Sequence, residues 1–163
     1  GPLVQGRAGG RAGVWAAVGR AEGAVRRSAS IALPDGTVIT GKTTSRRGGA
    51  AAALLNALKA LGGIDHKILL ISPNVIEPIQ NLKTHHLGNH NPRLHTDEVL
   101  IALSISAVTN ETAAVAMAQL EKLKGCEAHS SVILSQVDDS MFRKLGVNLT
   151  CEPVYQTKKL YHK

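Results

Sequence analysis

Aromatic side chains make up only 2% of this 163-residue chain: one Trp, two Tyr and one Phe. Any core must therefore be built from Leu, Ile, Val and Ala. The body also lacks the interleaved aromatics on which single-stranded bases stack. Cysteine is equally scarce. Cys126 and Cys151 both fall in apolar contexts, which excludes a disulfide framework and suits a reducing compartment. No apolar run approaches the ~18 residues needed to span a bilayer. The arginine-bearing start has no apolar stretch of the kind a secretory signal needs. These absences set the expectation of a soluble, cytoplasmic protein with no membrane partner.

Acid is the minority charge, with 12 Asp and Glu against 19 Lys and Arg. The resulting +7 has the look of a nucleic-acid signal until it is mapped. The first 30 residues hold Arg7, Arg11, Arg20, Arg26 and Arg27 against Glu22 alone, and Lys158, Lys159 and Lys163 crowd the other end. Basic excess sits mostly in tails rather than in a patch on the fold, so nucleic acid is not an expected partner. Residues 1–29, rich in Gly, Ala and Arg without a period, read as a disordered low-complexity or foreign segment. Gly1-Pro2 has the form of a protease-tag scar, and the Arg-rich, acid-poor composition also suits a transit peptide. That leaves one domain over 30–152, long enough to bury a real core, and a basic C-terminal tail over 153–163.

Within the domain, two β-prone runs flank Pro34-Asp35-Gly36, a hairpin signal in which Pro presets φ and Gly accepts a positive one. Residues 50–61 read as an Ala/Leu helix stopped by Gly62-Gly63. The continuous apolar run 67–71 reads as a strand buried on both faces. Ser72-Pro73 opens another helix, with Ser as its cap; Pro78 either kinks it or marks its true first turn. Thr96 is the expected cap of a helix over 97–108, whose first-turn acids suit the dipole. Asn110 is expected to cap a helix over 111–124, and Asp138 one that runs to Leu145. Strands are expected at 130–134 and 147–151. Helices separating single apolar strands predict a three-layer α/β/α domain on a mixed sheet.

Gly36-Thr37-Val38-Ile39-Thr40-Gly41-Lys42-Thr43 satisfies the letters of a phosphate loop. Its middle is strand-like, however, and the helix starts several residues too late for backbone N–H groups to cradle phosphate. A softer reading survives: Lys42, Thr43, Arg46 and Arg47 lie beside the first helix and favour an anion, unless they form only a solvated basic loop. Four of the seven histidines, His85, His86, His90 and His95, lie in one polar connection between helices. Their spacings match no zinc pattern, and Cys126-x-x-His129 lacks a second ligand pair, so neither metal nor cofactor is expected. Asn91-Pro92-Arg93 with His95, Thr96, Asp97 and Glu98 is a candidate ligand or proton-transfer cluster, because Arg forks onto carboxylate or phosphate and His shuttles protons. The alternative is a local cluster in which Arg93 pairs with Asp97 or Glu98. Cys126 and His129 are a further nucleophile–base candidate.

Several runs resemble one uncharacterised, mainly bacterial family, domain-of-unknown-function family eighteen-forty-six. They are Leu33-Pro34-Asp35-Gly36-Thr37, Thr40-Gly41-Lys42-Thr43, Leu70-Ile71-Ser72-Pro73, Ile76-Glu77-Pro78-Ile79-Gln80, Asn91 through Ser104, Gly125 through His129, and Leu145 through Pro153. The likeness covers about four-fifths of the chain and only the family's C-terminal module. It implies a fragment or truncated product whose partner is the missing upstream domain. It also implies a cytidine-deaminase-like topology. The zinc motifs of that chemistry are absent, since Lys67-Ile68 follow His66, and Glu127-Ala128-His129 follow Cys126.

Together these features predict an accessory domain that helps bind an anionic or phosphorylated small molecule. Its ligand residues would be Asn91, Arg93, His95, Thr96, Lys42 and Thr43. The alternative is a structural or oligomerisation module. A third reading is a small hydrolase using His95, Asp97, Glu98, Cys126 or His129.

Overall fold

Pro34-Asp35-Gly36 closes the hairpin as its residues require. The computed structural model describes residues 28–153, and in it strands β1 (Ser28–Ala32) and β2 (Val38–Lys42) run antiparallel. The Gly36 N–H donates to the Leu33 carbonyl at 2.9 Å and the Asp35 carboxylate accepts from the Thr37 N–H at 2.9 Å. Gly36 takes φ 90°, a conformation that costs glycine nothing. The expectations for the N-terminal segment up to residue 27 and for the tail from residue 154 lie outside the described residues.

Helix α1 (Gly49–Leu61) lies across this hairpin. Its first turns are Ala50 to Ala53, and small side chains let the backbones approach closely. A Cβ on Gly41 of β2 would collide with the Ala53 backbone nitrogen. Leu54, Leu55 and Leu58 are fully buried beneath it, and the helix ends at Gly62, followed by Gly63 at φ 65°. Helix α2 (Pro73–Asn81) is capped by the Ser72 hydroxyl and carries Pro78 in its interior rather than its first turn. It runs into a wider π turn, Leu82–His86. Helices α3 (Thr96–Ser106) and α4 (Glu111–Met117) follow, Asn110 capping α4. A 3₁₀ turn (Leu120–Leu123) stands where the sequence predicts α4 to continue. Strand β3 (Glu127–Ser130), helix α5 (Gln136–Lys144) and strand β4 (Asn148–Cys151) complete the order.

The described residues thus form a mixed α/β arrangement of five α-helices and one four-stranded mixed sheet, ordered β2-β1-β3-β4. β1 is antiparallel to both neighbours, and β3 pairs with β4 in parallel. One face, carrying Ala29, Ile31 and Ala128, joins the core. The other carries the register row Thr40, Ser30, His129 and Thr150. The sheet therefore alternates apolar and polar rather than being apolar on both faces.

Three local expectations need correction. Residues 67–71 are not a strand: the Asp65 carboxylate accepts the Lys67 N–H at 2.9 Å and starts a turn. Leu70 and Ile71 are buried, while Ile68 and Leu69 stay 43% and 52% exposed. A short apolar run does not reveal its partner by period alone. β3 starts at Glu127 and ends at Ser130, whose hydroxyl turns the chain by accepting the Val132 N–H at 3.2 Å. Finally, neither Thr96 nor Asp138 is the cap of its own helix. His95 occupies the N-cap position of α3, and Ser135 caps α5 by accepting the Asp138 N–H at 3.3 Å. Thr96 and Asp138 are instead the first-turn residues through which these two helices bond to each other.

Candidate anion site

The edge strand β2, the loop after it and one side of α1 border a half-open cavity of about 690 Å³. Its cations are Lys42 from the strand, Arg46 and Arg47 from the loop, and Lys59 from the helix. Ala52, Leu55, Asn56 and Lys59 share one side of α1 by their three- and four-residue spacing. Leu69 and Leu70 also line it. No carboxylate belongs to the described residues lining this space.

The loop's shape follows from its hydroxyls. Thr43 Oγ1 accepts the Gly49 N–H at 3.1 Å and so covers the start of α1. Thr44 Oγ1 accepts the Arg46 and Arg47 N–H groups at 3.2 and 3.4 Å, a tight turn that sets the two arginines side by side in the loop. Three outside groups then hold it. Gln80 of α2 donates to the Ser45 carbonyl at 3.1 Å, the Arg93 Nε donates to the Thr44 carbonyl at 2.7 Å, and the Leu94 N–H donates to the Arg46 carbonyl at 2.9 Å.

Concentrating these cations has an electrostatic signature. Burial, and then the neighbouring Arg46, push the Arg47 pKa down. Burial, and then Arg47, lower that of Lys59, against a smaller opposing pull from Asp65. The Lys59 ammonium donates to the His66 carbonyl at 2.9 Å. An anion in the cavity would relieve this crowding.

The Asn91–Glu98 cluster is a neighbouring scaffold. Asn91 Oδ1 accepts the Arg93 N–H at 3.0 Å, and the Arg93 side chain reaches the basic loop rather than Asp97 or Glu98. Glu98 Oε1 accepts from the His95 N–H and from the buried Lys83 ammonium, both at 2.8 Å, and Lys83 also donates to the Arg93 carbonyl at 2.5 Å. Asp97 Oδ1 accepts the Glu98 N–H at 2.8 Å. Asp138 Oδ1 accepts the Thr96 N–H and hydroxyl at 2.9 and 2.7 Å, and its Oδ2 lies 3.6 Å from His95 Nδ1. Facing Asp138 raises the His95 pKa against the opposing pull of burial. For Asp138, burial acts to raise the pKa, but His95 and Thr96 outweigh it and the net shift is downward.

Among the sequence candidates, Lys42 lines the cavity with Arg46 and Arg47, while Thr43 is occupied in shaping it. Arg93 and Asn91 brace the loop from behind. Cys126 is buried in the core, its Sγ 3.6 Å from the Lys122 carbonyl, and burial followed by Glu127 raises its pKa. His129 belongs to the polar sheet face, 2.7 Å from the Thr150 hydroxyl and 3.1 Å from Glu152. The thiol and imidazole are thus not brought together. Among the described residues no three His, Cys, Asp or Glu side chains converge as metal ligands. No helix among them is long and apolar enough to cross a membrane.

Lys59, Asn56, Leu69 and Leu70 were not singled out as site residues from the sequence. The available signal was a lysine one residue from Leu58 in an otherwise Ala/Leu helix, since a charge on a buried helical stripe needs a reason.

Residues 10–161 match the family described as "Domain of unknown function DUF1846, C-terminal". The match reaches back into the segment that composition set apart from the fold. A UPF0371 protein of Corynebacterium efficiens is 57% identical over 136 residues, covering 83% of this chain and 28% of its own. One from Corynebacterium glutamicum is 58% identical over 134 residues, covering 82% and 27%. One from Streptococcus pyogenes serotype M5 is 51% identical over 144 residues, covering 88% and 29%. The chain spans a little over a quarter of the length of these relatives. On the extent of the family match and these identities, the chain belongs to the DUF1846 C-terminal domain family.

Proposed function

We propose that this domain holds an anionic, phosphorylated small molecule on behalf of a longer protein, in the cavity beside β2. The supporting observation is the convergence of Lys42, Arg46, Arg47 and Lys59 on one half-open space with no carboxylate among the described residues that line it. Arg offers its fork to phosphate oxygens and Lys a point charge. In this reading Arg93 and His95 act as scaffold for the basic loop. The fold is taken as a three-layer, cytidine-deaminase-like scaffold used without zinc chemistry. Its free thiols, Cys126 and Cys151, suit the cytoplasm.

Calorimetric titration with inorganic pyrophosphate tests this. Binding should weaken at least roughly tenfold in Arg46→Ala and fall steeply with added salt, as expected for a screened ionic contact. Absence of any pyrophosphate binding, by this chain and by a full-length UPF0371 relative alike, sinks the reading.

A second reading, a module that docks or oligomerises, is favoured by the outer face of α3 and the turn after it, where Ile101, Ile105 and Val108 are 58%, 59% and 82% exposed. A mass in light scattering that rises with concentration would support it.

A further inference from the structure

The cavity is larger and less uniform than a phosphate alone requires. About 690 Å³ lies in the range of sites that enclose a whole small molecule. Its cations stand on the strand and loop side and at Lys59, whereas Leu55, Leu69 and Leu70 supply apolar wall. Leu69 is 52% exposed at this site although it belongs to an apolar run of the kind that is normally buried. Filling the cavity with an apolar body would remove that surface from water.

Asn56 supplies a third component of the lining. The Asn56 Nδ2 donates to the Thr40 carbonyl at 3.0 Å, which fixes the amide's orientation and leaves Oδ1 as the acceptor available to a ligand. In a cavity otherwise rich in donors, one oriented acceptor reads an N–H or O–H on the ligand. Several cations, an apolar wall and a fixed amide acceptor together describe a molecule with a charged end and an apolar body that carries an N–H or O–H.

Building on the anion site proposed above, we infer that its ligand is a nucleoside diphosphate, with the phosphates on Arg46, Arg47 and Lys42 and the base against Leu69 beside Asn56. This use of Lys42 does not depend on a phosphate loop, since Val38–Lys42 is a strand. It is side-on recognition, with the side chains supplying the charge.

The test compares inorganic pyrophosphate, the common nucleoside diphosphates and an isoprenoid diphosphate by calorimetry on this chain. At least one nucleoside diphosphate should bind roughly tenfold or more tighter than pyrophosphate, from added apolar contact. Leu69→Ser should erase most of that advantage while leaving pyrophosphate affinity within about twofold, since it removes wall and not charge. Arg46→Ala should weaken both ligands together. Leu69 is half-exposed, so its replacement spares the core; an unchanged Tm for the variant verifies this.

If pyrophosphate binds but no nucleoside diphosphate binds more tightly, or if the advantage survives in Leu69→Ser, this inference is overturned and the anion site stands. An isoprenoid diphosphate that outcompetes every nucleotide also overturns it, by assigning the wall to an alkyl chain. Failure of pyrophosphate itself removes the anion site, and this inference with it.

Discussion

Asp138 is 3% exposed and carries a charge that only its neighbours justify. It accepts two bonds from Thr96 and faces His95, so helices α3 and α5 are joined through a buried carboxylate. Asp138→Ala would strand the Thr96 donors in a buried site. We expect a loss of about 3 kcal/mol in denaturant unfolding, and a loss under 1 kcal/mol would refute the pin. The same pair sets a pH window. The folded pKa of His95 is raised, so its contribution is complete below its ordinary value near 6.5 and fades as pH rises through the raised one. The folded pKa of Asp138 is lowered, so its contribution is complete above its ordinary value near 3.8 and fades as pH falls through the lowered one. Stability from this pair should therefore plateau between about pH 4 and 6.5. Unfolding curves measured across pH should show His95→Gln flattening the limb above the plateau.

Elements that declare themselves locally are the ones the sequence makes legible. Pro34-Asp35-Gly36, Gly62-Gly63, Ser72-Pro73 and Asn110 each place a turn, stop or cap by chemistry within a few residues. Thr96 and Asp138 mislead because each has the right side chain for a cap, yet their bond spans 42 positions and leaves no local trace. Half of the cavity was legible for the same reason: Lys42, Arg46 and Arg47 are adjacent, whereas Lys59, Asn56 and Leu69 join them only through folding. Close packing of α1 on β2 is likewise invisible locally but has a sharp consequence. Gly41→Ala forces a methyl group into the Ala53 backbone, and should cost about 3 kcal/mol or more. A Tm within a degree of the parent would mean that α1 stands further off. The brace on the basic loop is a separate matter. Arg93→Ala removes the bond to the Thr44 carbonyl, although Arg93 does not itself line the cavity. Pyrophosphate affinity should fall roughly three- to tenfold, less than in Arg46→Ala, through a loosened loop. Arg93→Lys should restore little, because an ammonium does not reproduce the planar Nε contact. A loss in Arg93→Ala equal to that in Arg46→Ala would instead make Arg93 a direct ligand.

At the scale of the molecule, two surfaces ask for something beyond this chain's described residues. The cavity asks for charge, and the outer face of α3 asks for apolar cover. α3 is apolar on two sides: Val99, Ala102 and Leu103 face the core, while Ile101 and Ile105, with Val108 in the turn that follows, face out. A helix of that kind is normally buried on both. The relatives are more than three times as long as the part they share with this chain, so they hold ample sequence to cover one helix. A docked face and a self-associating face make opposite demands on Ile105→Glu. If the cover is the remainder of a longer relative, the change leaves this chain's Tm within about 2 °C, since the side chain is already 59% exposed. The equivalent change in a full-length relative then lowers its Tm by several degrees, because a charge enters a buried contact. If the cover is a second copy, the chain's mass in solution should fall to that of a monomer on the same substitution. If both proteins tolerate the glutamate and neither changes mass, α3 simply faces water and the docking reading is lost, while the cavity beside β2 is untouched.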